Sequence, residues 1–436
     1  MDNVSQWPSI AAVPAHSEQR TSWRKQLFWC ELLCILVILV PNLRLPGGIP
    51  FRLDDALVFT TAAFFVIRAV ILWQLPQIDS IVVALLFTAI GVAVVTVLAP
   101  SVPGLSVGAK EYLDVLRPVK LLSVYVIVRS FRIMPEQLVQ NIRWSVTALL
   151  LFASAQLLLL SPSSDGPFAH FSLLFSDLKE EHIRSFFGLR PFATFHTPTD
   201  LGYVATIFLA AGYSLKNLPA RRRLMICSTV LLLLSGTRTF LLVLPAFFIA
   251  RAFAASSLRQ RFKLLAATVA ALAGLTALMF VVIPKINPAF AANTSRTVEA
   301  IVSGDFEADE SIYDRLQNLA LVTYTWEHSK VFGVVSREKL TVAADSEYIL
   351  VFHRYGLVGL AEEVAFYLAA ILILRRMQSH APDVAMWGKL VLCATALYGV
   401  TQGALINTRI GVLPILILAV RPLTNMNAPL ATRDRA

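Results

Sequence analysis

Charge is scarce in this sequence. Of its 436 residues only 15% are charged, where a soluble globular protein carries about 25%. So little charge excludes a chain solvated on all sides. Cysteine is scarce too. Cys30, Cys34, Cys227 and Cys393 all lie in apolar segments, and no C-x-x-C pair occurs. That argues against a zinc site, and buried free thiols acting as small hydrophobes are the default. No P-loop, dinucleotide fingerprint, internal repeat or low-complexity tract appears. The first 22 residues are polar and lack a cleavable signal pattern, so the first apolar block is expected to stay as an anchor.

What the chain does have is apolar sequence in long blocks. It is 56% hydrophobic, with a mean hydropathy of +0.66. Crossing a bilayer as a helix takes about 20 such residues. The fold class is therefore an all-α polytopic membrane protein. Spans are predicted near 26–41, 55–73, 79–99, 113–130, 144–161, 198–215, 221–236, 239–254, 262–283, 346–374, 385–405 and 410–420, about twelve segments of membrane-crossing character. The chain then divides into a tail (1–25), spans one to nine (26–283), a large loop (284–345), spans ten to twelve (346–420) and a second tail (421–436).

Loop charges orient these spans. The net charge is +10, and nucleic-acid binding is the lesser explanation for it. Segments 129–143, 216–223, 251–263 and 375–389 hold Arg129, Arg132, Arg143, Lys216, Arg221, Arg222, Arg223, Arg251, Arg259, Arg261, Lys263, Arg375, Arg376 and Lys389, with only Glu136 and Asp383 against them. By the positive-inside rule these are cytoplasmic, and both termini are expected there too. The opposite connections are mixed or acidic. Loop 162–197 carries Asp165, Asp177, Glu180 and Glu181, and loop 284–345 carries Glu299, Asp305, Glu307, Asp309, Glu310 and Asp314.

Arg238 stands in the apolar run Leu231–Leu244. An arginine at mid-membrane costs roughly 3 kcal/mol or more. A single helix over 224–250 would bury it there and reverse the sidedness of 251–263. A hairpin turning at Ser235-Gly236-Thr237-Arg238 keeps the charge pattern, and Gly236 suits the turn. Loop 284–345 is too long for a simple connection. Its apolar residues at 312, 316, 319 and 322–323 predict an amphipathic helix over the outer face. Asn293-Thr294-Ser295 fits a glycosylation sequon but is a weak match.

Several cations fall on the outer side against the trend: Arg190, Arg238, Arg315, and Arg117 with Lys120 inside span four. Arginine forks match phosphate oxygens, so such a set suits a polyanion at headgroup level. Each also has a structural explanation: Arg315 as a solvated surface residue, Arg190 as a loop cap, Lys120 snorkelling. A second group is Asp345-Ser346-Glu347-Tyr348 followed by His353 and Arg354, where span ten begins. Asp345 or Glu347 could serve as a general base or orient an acceptor hydroxyl. Glu347 and Arg354 lie two helical turns apart, so an internal ion pair is the alternative, and His353 reads chiefly as a packing or hydrogen-bonding residue.

Taken in order, these pieces resemble the O-antigen polymerase (Wzy-type) and O-antigen ligase superfamily. The likeness rests on Arg190-Pro-Phe-Ala-Thr-Phe-His196-Thr-Pro198, with Ala193 where a glycine is common. It rests also on Leu234-Ser-Gly-Thr-Arg238, on Tyr313-Asp-Arg315 with Trp326 and Val331-Phe-Gly333, and on Asp345-Ser-Glu-Tyr348 with Tyr355-Gly-Leu-Val-Gly359. Ligases of the superfamily usually carry a histidine–asparagine pair where Asp345-Ser346 stands here, which moves the expectation toward polymerase. The resemblance implies an enzyme of the bacterial inner membrane, active at its periplasmic face and without metal or other cofactor. Its substrate would be an undecaprenyl-pyrophosphate-linked oligosaccharide. Arg238, Arg315, Arg190, Lys120 and Arg117 would hold the pyrophosphate, Asp345 or Glu347 would act in catalysis beside Arg238 and Arg315, and His196, Tyr348 and His353 would meet the acceptor or glycan. A chain-length regulator and a flippase are the expected partners. An O-antigen ligase and a transporter of an anionic solute or lipid are the alternatives.

Overall fold

The apolar blocks fold as helices, and the charges between them decide where those helices meet. The computed structural model describes residues 15–40, 43–44, 50–72, 78–98, 112–175 (except 113, 132 and 134), 180–237 (except 188, 189 and 217), 257–277, 302–305, 310–334, 346–401, 405 and 410–420, with isolated positions between 245 and 299. Arg238 and Asp345 lie outside the described residues.

Helix α1 spans Ala15–Leu39, α2 Leu53–Leu72, α3 Ser80–Leu98, α4 Leu116–Ser130 and α5 Pro135–Leu159. Two short helices follow, α6 (Pro167–Leu173) and α7 (Glu180–Arg184). Then come α8 (Pro198–Ser214), α9 (Arg221–Leu234), α10 (Leu258–Ala277), α11 (Glu310–Ser329), α12 (Glu347–Gln378), α13 (Pro382–Thr401) and α14 (Val412–Ala419). Between α1 and α2 a two-residue antiparallel ladder pairs β1 (Leu43–Arg44) with β2 (Pro50–Phe51).

Five of the described helices are long and apolar enough to cross a membrane: α2, α3, α5, α12 and α13. Their outward faces are apolar. Phe64, Ile67, Val70 and Ile71 on α2 and Val83, Phe87, Ile90 and Val97 on α3 are exposed, as lipid contact allows and water does not favour. The chain is therefore a helical protein of membrane character. The predicted spans 113–130, 198–215, 221–236 and 410–420 appear as the shorter helices α4, α8, α9 and α14, and 239–254 lies largely outside the described residues. Helix α8 is buried along nearly its whole length, and all of α14 is buried.

Helix packing runs in a closed series. Helix α8 packs on α9, α9 on α5, α5 on α1, α1 on α2, α2 on α4, α4 on α3, α3 on α12, α12 on α13, and α13 returns to α8. Helix α14 packs on α4, α12 and α13, so its apolar sequence faces protein on every side.

The two ends of this bundle carry different polar contacts. At one end Arg129 pairs with Asp79 at 3.2 Å, Arg143 donates to the Pro219 carbonyl at 3.2 Å and Lys216 pairs with Asp383 at 3.2 Å. These contacts draw together three of the four basic segments that the loop charges assign to one side. At the other end lie the starts of α2, α4 and α12.

Three local features set the chain direction near that end. Thr197 caps α8 reciprocally with Asp200, and Pro198 occupies the first helical position; together these satisfy orphan donors and preset the helix. Upstream, the buried Gln156 side chain accepts from the Ala193 and Phe192 amides at 2.7 and 3.2 Å and donates to the Ala193 carbonyl at 3.1 Å. Ala193 itself has φ +49°, a left-handed conformation that explains why glycine would suit the position. Helix α9 stops at Leu234, and Gly236 has φ +59°. The chain thus turns before Arg238 rather than running on as one helix. Ser235 and Thr237 are buried and approach Gly202 of α8 so closely that no Cβ would fit there.

Helix α12 is broken at Gly356, which has φ 62° and ψ −150°. A break leaves amides and carbonyls without partners, a severe cost away from water. The segment after α11 supplies them. The Leu357 and Val358 amides donate to the Lys330 and Val331 carbonyls at 2.9 and 3.1 Å, and the Val334 amide donates to the His353 carbonyl at 2.7 Å. Gly333, with φ +70°, faces the backbone of Arg354 and Tyr355 at a distance that admits no side chain, and Gly356 faces Val331 in the same way. Gly356→Ala is expected to destabilise the protein by about 1–3 kcal/mol or more, from left-handed strain plus backbone collision. Thermal unfolding in detergent would show it, with Gly274→Ala, where a Cβ on α10 meets open space, as the mild comparison.

Candidate functional site

At the end of the bundle where α2, α4 and α12 begin, charged side chains are buried against one another. Asp114, 5% exposed, pairs with Arg117 at 3.1 Å and accepts a hydrogen bond from Arg354 at 3.1 Å. It thereby ties the start of α4 to α12. Lys120, 1% exposed, pairs with Asp54 at 2.5 Å and also with Asp55. Arg52 closes on Asp54 at 3.1 Å. The β1–β2 ladder ends at Phe51 and delivers Arg52 to this position. Desolvated charges hold such a cluster only when each finds a partner, and removing one partner strands the other.

Beside the cluster is a cavity of about 110 Å³. Its wall comes from α3 (Thr88, Val92), α4 (Arg117, Leu121), α12 (Glu347, Tyr355, Glu362, Glu363) and α14 (Ile415). Glu347 is 1% exposed and accepts from the Leu405 amide through both oxygens, at 2.9 and 3.1 Å. A carboxylate and a guanidinium thus face one small volume between α3 and α12, which are of membrane-crossing length, and the shorter α4 and α14. That arrangement can accept a proton from a hydroxyl and hold an anion beside it.

The residues singled out from sequence are distributed as follows. Glu347 and Arg117 line the cavity. Lys120 is directed to Asp54 and Asp55 and is absent from the cavity wall. His353 is buried in α12, with Nδ1 2.8 Å from the Thr325 hydroxyl of α11, so it fastens α11 to α12 rather than facing the cavity. Tyr348 donates to the Ala396 carbonyl at 2.8 Å and fastens α12 to α13. Arg190 and His196 are half-buried on the segment leading to α8, away from the cavity wall. Arg315 lies on α11, where the structure describes the helix but not this side chain. The helix predicted in loop 284–345 is present as α11, with Leu319 of its predicted apolar positions exposed. Arg238, predicted to hold the pyrophosphate, and Asp345, predicted as a base, fall outside the described residues.

Sequence reading missed Glu362 and Glu363. The signal was available, because two acids inside the apolar run of span ten are as costly as Arg238 in its own run. It also missed Asp54, whose partner Lys120 is remote in sequence, and Gln156, whose role is to hold a backbone loop.

Lys120→Met is expected to destabilise the protein by roughly 3 kcal/mol, because it leaves Asp55 and part of Asp54 uncompensated. Adding Asp55→Asn should restore most of that loss and leave the Arg52–Asp54 pair intact. Thermal unfolding of the single and double variants checks it; failure of the second substitution to rescue stability would show that Lys120 is not held there chiefly as an ion-pair partner.

No family model and no curated protein matches the chain, so its likeness to the polymerase and ligase superfamily rests on the quoted residues alone.

Proposed function

We propose that this chain is a polysaccharide polymerase, a glycosyltransferase that joins undecaprenyl-pyrophosphate-linked repeat units at the periplasmic face of the bacterial inner membrane. One observation carries the reading. Glu347 and Arg117 face the same cavity, at the end of the bundle opposite the basic segments. In this reading the chain crosses the membrane about twelve times, with both termini in the cytoplasm and 284–345 as a periplasmic loop.

The chemistry follows from those two groups. Glu347, or Asp345 two residues before it, takes the proton of an acceptor hydroxyl as that oxygen attacks the anomeric carbon of the donor. The bond to the pyrophosphate oxygen breaks, and the leaving undecaprenyl pyrophosphate needs cations around it. Arg117 faces the cavity, and Arg238, Arg190 and Arg315 are the other candidates. This is electrostatic stabilisation of a leaving group. The cavity admits the reacting hydroxyl and its surroundings; the rest of the glycan would lie under the 284–345 loop. The turn at Ser235–Thr237, packed on α8, supports the reading by fixing the chain immediately before Arg238. The ligase alternative uses the same site with lipid A core or another acceptor.

A transport reading gains one observation of its own. Helix α12 is broken at Gly356, and transporters place their ligands at broken helices. The break here is filled by the 330–334 backbone, so it is closed to a ligand, which leaves the enzymatic reading ahead.

With purified protein in vesicles and lipid-linked repeat units as substrate, Glu347→Gln is expected to lower turnover about 10²–10⁴-fold, the usual effect of losing a general base. Arg238→Ala should cost as much or more. Full polymerisation by normally inserted Arg238→Ala would rule out the donor-site assignment. A deletion strain separates the alternatives: loss of a polymerase leaves single repeat units on the acceptor, and loss of a ligase leaves none. The topology has its own check. Ser303, exposed on the large loop, should label from outside intact spheroplasts when changed to cysteine; labelling only after lysis would invert the orientation.

A further inference from the structure

The buried carboxylates at the cavity are not all accounted for. Asp114 is met by Arg117 and Arg354, and Glu347 by the Leu405 amide. Glu362 and Glu363, consecutive on α12, have no such partner among the described residues. Glu362 is 2% exposed, yet its Oε1 atom makes no hydrogen bond. Both carboxyl oxygens of Glu363 are buried and without a partner as well. Both side chains face the cavity.

The opposite helix has made room for this pair. Gly91 on α3 lies against Glu362, and a Cβ there would occupy the place of its Oε1. Around the cavity the charged groups are Asp114 and Arg117 from α4 and Glu347, Glu362, Glu363 and, just behind, Arg354 from α12, with Tyr355 as the other titratable group on its wall. Helices α3 and α14 bring no charge to it. Carboxylates therefore outnumber cations, and the surplus sits on Glu362 and Glu363. An ionised carboxylate in an apolar interior without a counter-charge is prohibitive. A cavity of about 110 Å³ is far above the roughly 10–15 Å³ that one water requires, so it has room for an ion with some of its hydration. No set of three His, Cys, Asp or Glu is placed to hold a metal ion among the described residues, which disfavours a divalent cation with a full ligand cage.

We propose that this cavity binds a small monovalent cation, with Glu362 and Glu363 as its charged ligands and the Thr88 hydroxyl within the same wall. The pair retains one proton when the ion is bound, and protons compete with the ion as pH falls. The site shares its cavity with Glu347 and Arg117, but the proposal stands whether or not that cavity carries out glycosyl transfer.

The test uses full-length protein in nanodiscs of neutral lipid. Thermal unfolding is followed by tryptophan fluorescence in sodium, potassium or N-methyl-D-glucamine chloride at equal ionic strength. A saturable rise of a few degrees is expected with sodium or potassium and not with the organic cation, since a ligand that binds only the folded state stabilises it. Lowering the pH should weaken the response. Gly91→Ala keeps both carboxylates but fills the space of one, and should raise the ion concentration for half-effect tenfold or more. Glu362→Gln with Glu363→Gln should abolish the response. Equal unfolding temperatures in all three salts would overturn the proposal from the wild-type protein alone, whether or not the variants fold. So would a protonated-carboxyl stretch in the infrared that accounts for both side chains in saturating sodium, or an undiminished response in the double variant.

Discussion

Asp114 is the joint on which the described end of the bundle depends. One carboxylate lies between two guanidiniums, Arg117 on its own helix and Arg354 on α12. The pairings make sense only together. Without Asp114, Arg117 and Arg354 would lose the carboxylate they share, and the start of α4 would lose this polar tie to the broken part of α12. Ion pairs desolvated to this extent contribute little net stability compared with an apolar replacement, but they are intolerant of losing a member. Their effect here is positional. They fix which turn of α4 faces which turn of α12, and so set Arg117 opposite Glu347.

The joint works because the backbone at Arg354 is itself held. Gly356 interrupts α12 two residues later, and the 330–334 segment satisfies the freed groups on both sides of the break. The two glycines make the approach possible, since neither backbone leaves room for a Cβ on the other. A loop that the sequence places outside the hydrocarbon layer is thus built into a membrane-crossing helix. The consequence for function is direct: α11, which carries Arg315, is fastened by Thr325–His353 and by this clamp to the helix that carries Glu347.

How much of this was legible in the sequence differs by kind of interaction. Apolar run length predicted α2, α3, α12 and α13 closely, because run length is a property of one segment. The turn at Gly236 was legible from loop charges, because sidedness is a sum over many residues. Helix α11 was legible from spacing. The partners of Lys120 were not, since they come from Asp54 and Asp55 on another helix, and a lysine in an apolar run looks the same whether it awaits a ligand or meets two carboxylates. Tyr348, a candidate for contact with the acceptor or glycan, bonds the Ala396 carbonyl of α13, and His353 bonds Thr325 of α11 as a hydrogen-bonding histidine would. The Gly356 break was not legible, although Val331-Phe-Gly333 and Tyr355-Gly-Leu-Val-Gly359 both stood out, because neither motif says that the two backbones meet.

Glu362 and Glu363 belong to a different category. They were legible and were passed over, because attention went to cations that could meet a phosphate and not to anions that would need a cation. The physical rule is symmetric. A charge inside an apolar run requires a counter-charge, a proton or a route to water. For Arg117 the structure supplies Asp114. For Glu362 and Glu363 it supplies space: a glycine on the facing helix and a cavity beside them. A helix that only had to span the bilayer would place alanine or leucine at both positions at no cost, and α3 would have no reason to keep its surface clear at Gly91. Two acids together, with room made for them, are what the proposed monovalent cation would account for.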